Sequence, residues 1–123
     1  MNEVHDFRAD ITDRPDGIRL VRLSGDLDLA TAPALRSCLT ECLDGGTPFV
    51  VDLAAVAFLG SAGLQVFVDI RQTAAARSLA WGLAAEHRTV LRPFEVTGLS
   101  GSLPLYPSAT AAADHLASTE PAR

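Results

Sequence analysis

The spacing of apolar residues along this chain changes repeatedly between the period of a strand and the period of a helix. Phe7, Ala9 and Ile11 alternate with polar residues, which is the pattern of a strand with one exposed face. Beyond Thr31 apolar residues recur every three or four positions, which is the pattern of a helix packed on one side. The predicted order is β-β-α-β-α-β-α-β-α. This alternation predicts a single α/β domain with a mixed, mostly parallel sheet of four to five strands, about four helices and an N-terminal β-hairpin.

Turn and capping residues set the expected limits of these elements. Arg14-Pro15-Asp16-Gly17 is typical of the hairpin turn, and Ser24-Gly25 is expected to end the second strand at Leu23. Pro93 inside the third helix is expected to kink or shorten it. The other strands are predicted over 49–53, 79–84 and 103–106, with 49–53 central, and the helices over 31–45, 61–77, 90–98 and 108–117.

The composition excludes several classes of function. The 123 residues include ten basic residues, all arginine, against 15 acidic ones, so the net charge is −5. Without lysine there is no Schiff-base chemistry and no phosphate-binding P-loop lysine. The acidic balance predicts neither a nucleic acid nor a membrane as partner. Charges interrupt every apolar stretch near the N-terminus, which favours a cytoplasmic protein.

Cysteine and histidine are too dispersed to predict a metal site. Cys38 and Cys42 lie one helical turn apart, without the spacing of a redox or zinc motif. His5, His87 and His115 stand alone in the sequence. We expect the two thiols to act as small buried hydrophobic groups, and we predict no cofactor and no metal.

A run of small residues follows the predicted central strand. Gly60, Ser61, Ala62 and Gly63 lack bulk, and they stand where open α/β sheets usually place their sites. Ser61 is therefore expected to be exposed. Three interpretations remain open for it: a helix N-cap, a hydrolase nucleophile, or a phosphoacceptor. The nucleophile requires a glycine two residues before the serine, and that position is Leu59.

The segment between the second strand and the first helix contains two carboxylates. Asp26 and Asp28 alternate around Leu27, shortly before Thr31. Their charge favours the nearby helix N-terminus, which is a structural interpretation. The functional interpretation is an acidic contact for a basic surface of a partner.

Three segments together resemble the STAS domain, and specifically stand-alone anti-sigma factor antagonists: GDLDLATAPAL, VVDLAAVAFLGSAGLQVF and VLRPFEVTGL. The resemblance covers about residues 4 to 117, and it implies a domain over 1–117 followed by a tail over 118–123. It implies a protein, not itself an enzyme, that binds an anti-sigma factor serine kinase and thereby regulates transcription. ATP would be bound by that kinase, which would phosphorylate a serine of this protein and so end the binding. A phosphatase would remove the phosphate.

Carried over onto this sequence, the resemblance implies that Ser61 is the phosphoacceptor. It also implies that partner binding involves Asp26, Asp28, Thr31, Gly60, Ser61, Ala62, Gly63 and Leu64. The family commonly has an acidic residue before the serine, and this chain has Gly60 there. An alternative therefore remains, in which the domain is a scaffold or adaptor without a phosphorylation cycle.

Overall fold

A computed structural model describes residues 7–118, which form a five-stranded sheet in the order β1-β2-β3-β4-β5. Strands β1 and β2 are antiparallel, and the pairs β2–β3, β3–β4 and β4–β5 are parallel. The mixed α/β fold with an opening hairpin is thus confirmed. The strands are β1 Arg8–Asp13, β2 Arg19–Leu27, β3 Phe49–Leu59, β4 Trp81–Ala84 and β5 Leu105–Tyr106, and the helices are α1 Ala32–Gly45, α2 Ser61–Ala76, α3 Arg88–Val96 and α4 Ala109–Ser118.

The hairpin turn lies where the sequence predicts it. The Arg14 amide donates to the Ile18 carbonyl oxygen (2.9 Å), and Gly17 adopts a left-handed backbone with φ of 91°. Strand β1 is largely exposed and forms one edge of the sheet, which fits its alternating polar residues.

Strand β2 does not end at Ser24-Gly25, and that prediction is wrong. The strand continues to Leu27, and its pairing with β3 shifts register twice, between Arg22 and Ser24 and between Gly25 and Asp26. A glycine within a strand often accompanies such a bulge, because it tolerates a backbone that other residues avoid. Gly25 has a φ of 95°. Ser24-Gly25 therefore marks an irregularity in the hydrogen bonding between β2 and β3 and not the end of β2.

Strand β3 is the central strand, as predicted, but it extends six residues beyond the predicted end at Leu53, to Leu59. Its first part is buried on both faces. Phe49 and Val51 belong to the larger core, whereas Val50 belongs to a smaller core on the opposite face. The short crossing expected after Leu53 is thus part of the strand, with several exposed residues in its second half.

The helices divide unequally between the two faces of the sheet. Buried side chains of α1, α2 and α3 contribute to the larger core, and Ala112, Ala113 and Leu116 of α4 contribute to the smaller one. An ion pair between Arg36 and Asp69 (2.9 Å) joins α1 to α2 on the surface.

Helix α3 continues through Pro93, where the sequence predicts a kink or an early end. The helix spans Arg88–Val96, and Gly98, with φ of 76°, follows its C-cap residue Thr97. Proline deprives the Thr89 carbonyl of its helical donor, but Thr89 is exposed, so water can replace that donor.

The two cysteines are free and lie on α1, facing the core. Cys42 is buried and Cys38 is half-buried. Contact with Cys38 and burial raise the pKa of the Cys42 thiol well above its ordinary value.

Other differences are limited to element ends. Strand β4 begins at Trp81 and β5 at Leu105, each two residues later than predicted, and α4 includes Ser118. The Ser108 hydroxyl accepts a hydrogen bond from the Ala111 amide (3.0 Å), so the predicted N-cap of α4 is confirmed. Ser118, predicted as the first residue of the tail over 118–123, is the last residue of α4, and the remaining residues 119–123, like His5, lie outside the described residues.

Candidate functional site

The two segments that the sequence singles out meet at one edge of the sheet. Strands β2 and β3 are parallel neighbours, and Leu27 pairs with Leu59 at their carboxyl ends. Just beyond this pair, the Gly60 amide donates to the Leu27 carbonyl oxygen (2.8 Å). The segment that follows β2 (residues 28–31, here called the acidic loop, with Asp26 just before it at the end of β2) and the start of α2 at Ser61 are therefore held side by side.

Reciprocal hydrogen bonds stabilise the acidic loop. The Asp28 amide donates to Thr31 Oγ1 (3.0 Å), and the Thr31 amide donates to Asp28 Oδ1 (3.1 Å). Thr31 Oγ1 also donates to the Asp26 carbonyl oxygen (2.8 Å). Thr31 occupies the N-cap position of α1, as predicted, but its side chain makes no capping hydrogen bond to the helix. Its hydroxyl organises the preceding turn instead, in the manner of a capping box.

Ser61 is exposed, as predicted, and it is the first residue of α2. The N-cap interpretation is wrong, because Gly60 occupies that position and no side chain caps the helix. Among residues 7–118, the Ser61 hydroxyl has no hydrogen-bond partner. The first amides of α2 thus have no side-chain acceptor, and such amides favour a negatively charged group.

Gly63 lets α2 approach the end of β2 closely. A Cβ atom built on Gly63 would lie 2.9 Å from Leu59 Cδ1, 3.0 Å from Leu27 Cβ and 3.1 Å from the Leu27 carbonyl oxygen. No real side chain fits such distances without movement of its neighbours. The next residue, Leu64, is buried, and Ala62 is half-buried. The small residues therefore position Ser61 as well as leaving it accessible.

A groove of about 510 Å³ lies beside Ser61, between the start of α2 and helix α3. Its lining is mostly apolar, and it includes one cationic side chain, Arg92. The lining residues are Leu59, Ser61, Leu64, Thr89, Arg92, Pro93, Val96 and Thr97. Sequence reasoning did not identify the α3 side of this groove. The available signal was Val96, an apolar residue that the helical period places away from Val90 and Phe94.

Three large apolar side chains of the site region are exposed. Leu29 in the acidic loop is 82% exposed, Val96 in the groove 69% and Phe58 near the end of β3 50%. The Phe58 ring lies close to Gly60. A Cβ atom built on that glycine would lie 3.1 Å from Phe58 Cε2. Exposed apolar residues around an uncharged hydroxyl are typical of a surface that binds another protein.

Two of the histidines, His87 and His115, contact other groups away from Ser61. His87 Nε2 lies 3.1 Å from the Ala54 carbonyl oxygen, and the His115 ring centroid lies 5.4 Å from that of Tyr106. Neither ring lines the groove beside Ser61. Within the range 7–118, no three metal-ligating side chains converge. No helix in the same range is both long and apolar enough to span a membrane.

A mostly parallel sheet extended by an opening hairpin, with a serine at the start of the helix after the central strand, is the arrangement of an α/β domain of the STAS type. The STAS domain family model matches residues 11–112, and the chain belongs to this family.

Two mycobacterial proteins are similar to this chain, one in sequence and one in structure. The chain is 33% identical over 92 residues to the anti-sigma-F factor antagonist RsfB of Mycobacterium tuberculosis, covering 74% of this chain and 75% of that protein. It superposes on the crystal structure of an anti-sigma factor antagonist from Mycobacterium paratuberculosis with a TM-score of 0.80 and 30% identity, covering 90% of this chain and 94% of the other.

A more distant structure shows the same fold. The anti-sigma factor antagonist SpoIIAA in its unphosphorylated form matches with a TM-score of 0.74 and 15% identity, covering 93% of this chain and 100% of that one. Both superpositions agree with the five strands and four helices of residues 7–118.

Proposed function

We propose that the protein is an anti-sigma factor antagonist that binds an anti-sigma factor serine kinase in the cytoplasm and is released when that kinase phosphorylates Ser61. The observation that carries the proposal is the accessibility of Ser61, whose hydroxyl lies free at the junction of the acidic loop, the groove and α2. The antagonist role named for RsfB supports the same assignment. The docking face would comprise Asp26 at the end of β2, Asp28 and Thr31 of the acidic loop, and residues 60–64 at the start of α2.

The chemistry assigns separate roles to the two proteins. ATP would be bound by the kinase, and Ser61 Oγ would attack the γ-phosphorus. The bond from this phosphorus to the bridging oxygen breaks, ADP leaves, and the hydroxyl proton passes to a base of the kinase. A phosphatase would later hydrolyse the phosphoester with water and regenerate the hydroxyl.

Phosphorylation would oppose binding through charge and desolvation. The phosphate adds about −1.5 to −2 charge at a position bordered by apolar side chains such as Leu64 and Val96. A partner that covers these side chains would have to remove water from the phosphate. The free energy needed to bury an uncompensated charge is far larger than the free energy gained by covering these apolar side chains.

The direct test is phosphate mapping. The tagged parent protein is used to isolate its binding partner from cells, and the complex is incubated with radiolabelled ATP. We expect label on Ser61 and none on Ser61→Ala. Ser37→Ala is a matched control, because Ser37 is an exposed serine on α1. Label on Ser61→Ala equal to that on the parent would exclude the site.

The scaffold alternative is favoured by one observation, which is Gly60 at the position before the serine, with the Phe58 ring against it. Partner affinity of Ser61→Glu separates the two functions. The switch requires that Ser61→Glu lose binding while Ser61→Ala retains it. A scaffold requires that both variants bind like the parent protein.

A further inference from the structure

Arg92 and Ser61 lie on opposite walls of one groove. Ser61 begins α2, Arg92 belongs to α3, and both side chains line the same 510 Å³ cavity. Phosphorylation would therefore place a dianion beside a groove that an arginine also lines.

Unlike Arg88 and Arg36, Arg92 has no carboxylate partner within the range 7–118. Arg88, one turn earlier on α3, forms two hydrogen bonds with Glu95 (3.0 and 3.1 Å), and Arg36 pairs with Asp69 (2.9 Å). Among residues 7–118, the Arg92 side chain makes no ion pair or hydrogen bond. Its guanidinium can therefore turn toward a new anion without breaking an existing contact.

The surroundings favour a pairing within the groove. Apart from Arg92, the lining side chains carry no charge, so no carboxylate of the groove would compete with a phosphate. Leu64 and Pro93 give part of the groove an apolar wall, which strengthens an ion pair modestly relative to one in open solvent. A guanidinium also presents paired donors that match two phosphate oxygens.

We propose that Arg92 is the internal receptor for a phosphate on Ser61, and that their pairing ties α3 to α2 across the groove. The proposal rests on the proposed function only in taking Ser61 as the modified residue. It adds a positioning role for Arg92: the phosphorylated protein would occupy its own groove, so that a partner is excluded by an internal contact as well as by charge.

The test does not require the kinase. Phosphate is installed on Ser61 during protein synthesis, and the phosphate resonance is titrated by phosphorus NMR in the full chain. We expect the second pKa of the phosphate to be about 0.2 to 0.7 lower in the parent than in Arg92→Ala and Arg92→Gln, which is the range for a partly exposed ion pair. The difference should vanish in concentrated urea, where the groove no longer exists.

Arg88→Ala is the matched control. It removes the same charge from the same helix, but Arg88 is already paired with Glu95. It should leave the phosphate pKa at the parent value. Equal pKa values in the parent, Arg92→Ala and Arg92→Gln would overturn the proposal, as would an equal change in Arg88→Ala. If the kinase labels another residue but the Arg92 effect is present, the proposed function fails and the pairing stands.

Discussion

At the scale of single residues, Gly63 decides how closely α2, which begins at Ser61, approaches the sheet. Glycine in a helix interior is ordinarily unfavourable, by about 1 kcal/mol relative to alanine. Here the missing side chain leaves room for Leu27 and Leu59, whose atoms occupy the position of a Cβ. Close packing therefore outweighs helix propensity at this position.

We predict that Gly63→Ala lowers the free energy of unfolding by about 1–3 kcal/mol, because overpacking exceeds the gain in helix propensity. Urea denaturation followed by circular dichroism measures this. Gly101→Ala is the control, because nothing lies within 4 Å of a Cβ built there and its φ is not positive. A Gly63→Ala variant as stable as the parent would show that the contacts relax without cost.

At the scale of elements, α3 depends on one buried ring. The helix has only nine residues and contains Pro93, so its own hydrogen bonds hold it weakly. Phe94 is fully buried and stacks on Phe67 of α2, with ring centroids 6.3 Å apart. This contact therefore fixes α3 against α2, the helix that begins at Ser61.

We predict that Phe94→Ala lowers the free energy of unfolding by about 3–5 kcal/mol, because it removes buried apolar contacts and leaves a cavity. Val96→Ala, two residues further along and largely exposed, should change it by no more than about 0.5 kcal/mol. Chemical denaturation of both variants checks this. Similar losses for the two variants would contradict an anchor at Phe94.

At the scale of the whole molecule, surface ion pairs make stability depend on pH. Hydrogen bonds from Gln65 and then from Arg36 lower the pKa of Asp69 below its ordinary 3.8, and a hydrogen bond from Arg19 likewise lowers the pKa of Asp13. A carboxyl whose pKa is lower in the folded than in the unfolded state contributes stability above its unfolded value. That contribution is lost as the pH falls through the folded value.

We predict that the contribution of Asp13 and Asp69 to the free energy of unfolding does not change near neutral pH and decreases below about pH 4. Asp69→Asn should reduce the decrease in the free energy of unfolding at acidic pH. By NMR titration, Gln65→Ala should raise the pKa of Asp69, whereas Arg77→Ala, whose partner is Asp44, should leave it unchanged. An Asp69 carboxyl that titrates at or above 3.8 in the parent would contradict the assignment.

Much of the architecture could be predicted from local patterns. Leu35, Leu39 and Leu43 keep the helical period, and Val50 and Val51 belong to a strand covered on both faces, so these elements were recognisable without tertiary information. The exposure of Ser61 followed from the small residues around it. Boundaries were less predictable, since the end of β3 depends on pairing with β2, which local periodicity does not encode.

The chain's own residue pattern was sufficient for the α/β class, the opening hairpin and the position of an accessible serine after the central strand, because periodicity and small side chains act locally. Only the tertiary structure decided that Gly60 rather than Ser61 caps α2, that Thr31 bonds back to the acidic loop, and that Arg92 shares a groove with Ser61. These features join residues distant in sequence or depend on competing hydrogen-bond partners. They arise when parallel strands bring their carboxyl ends together and a third helix packs beside them.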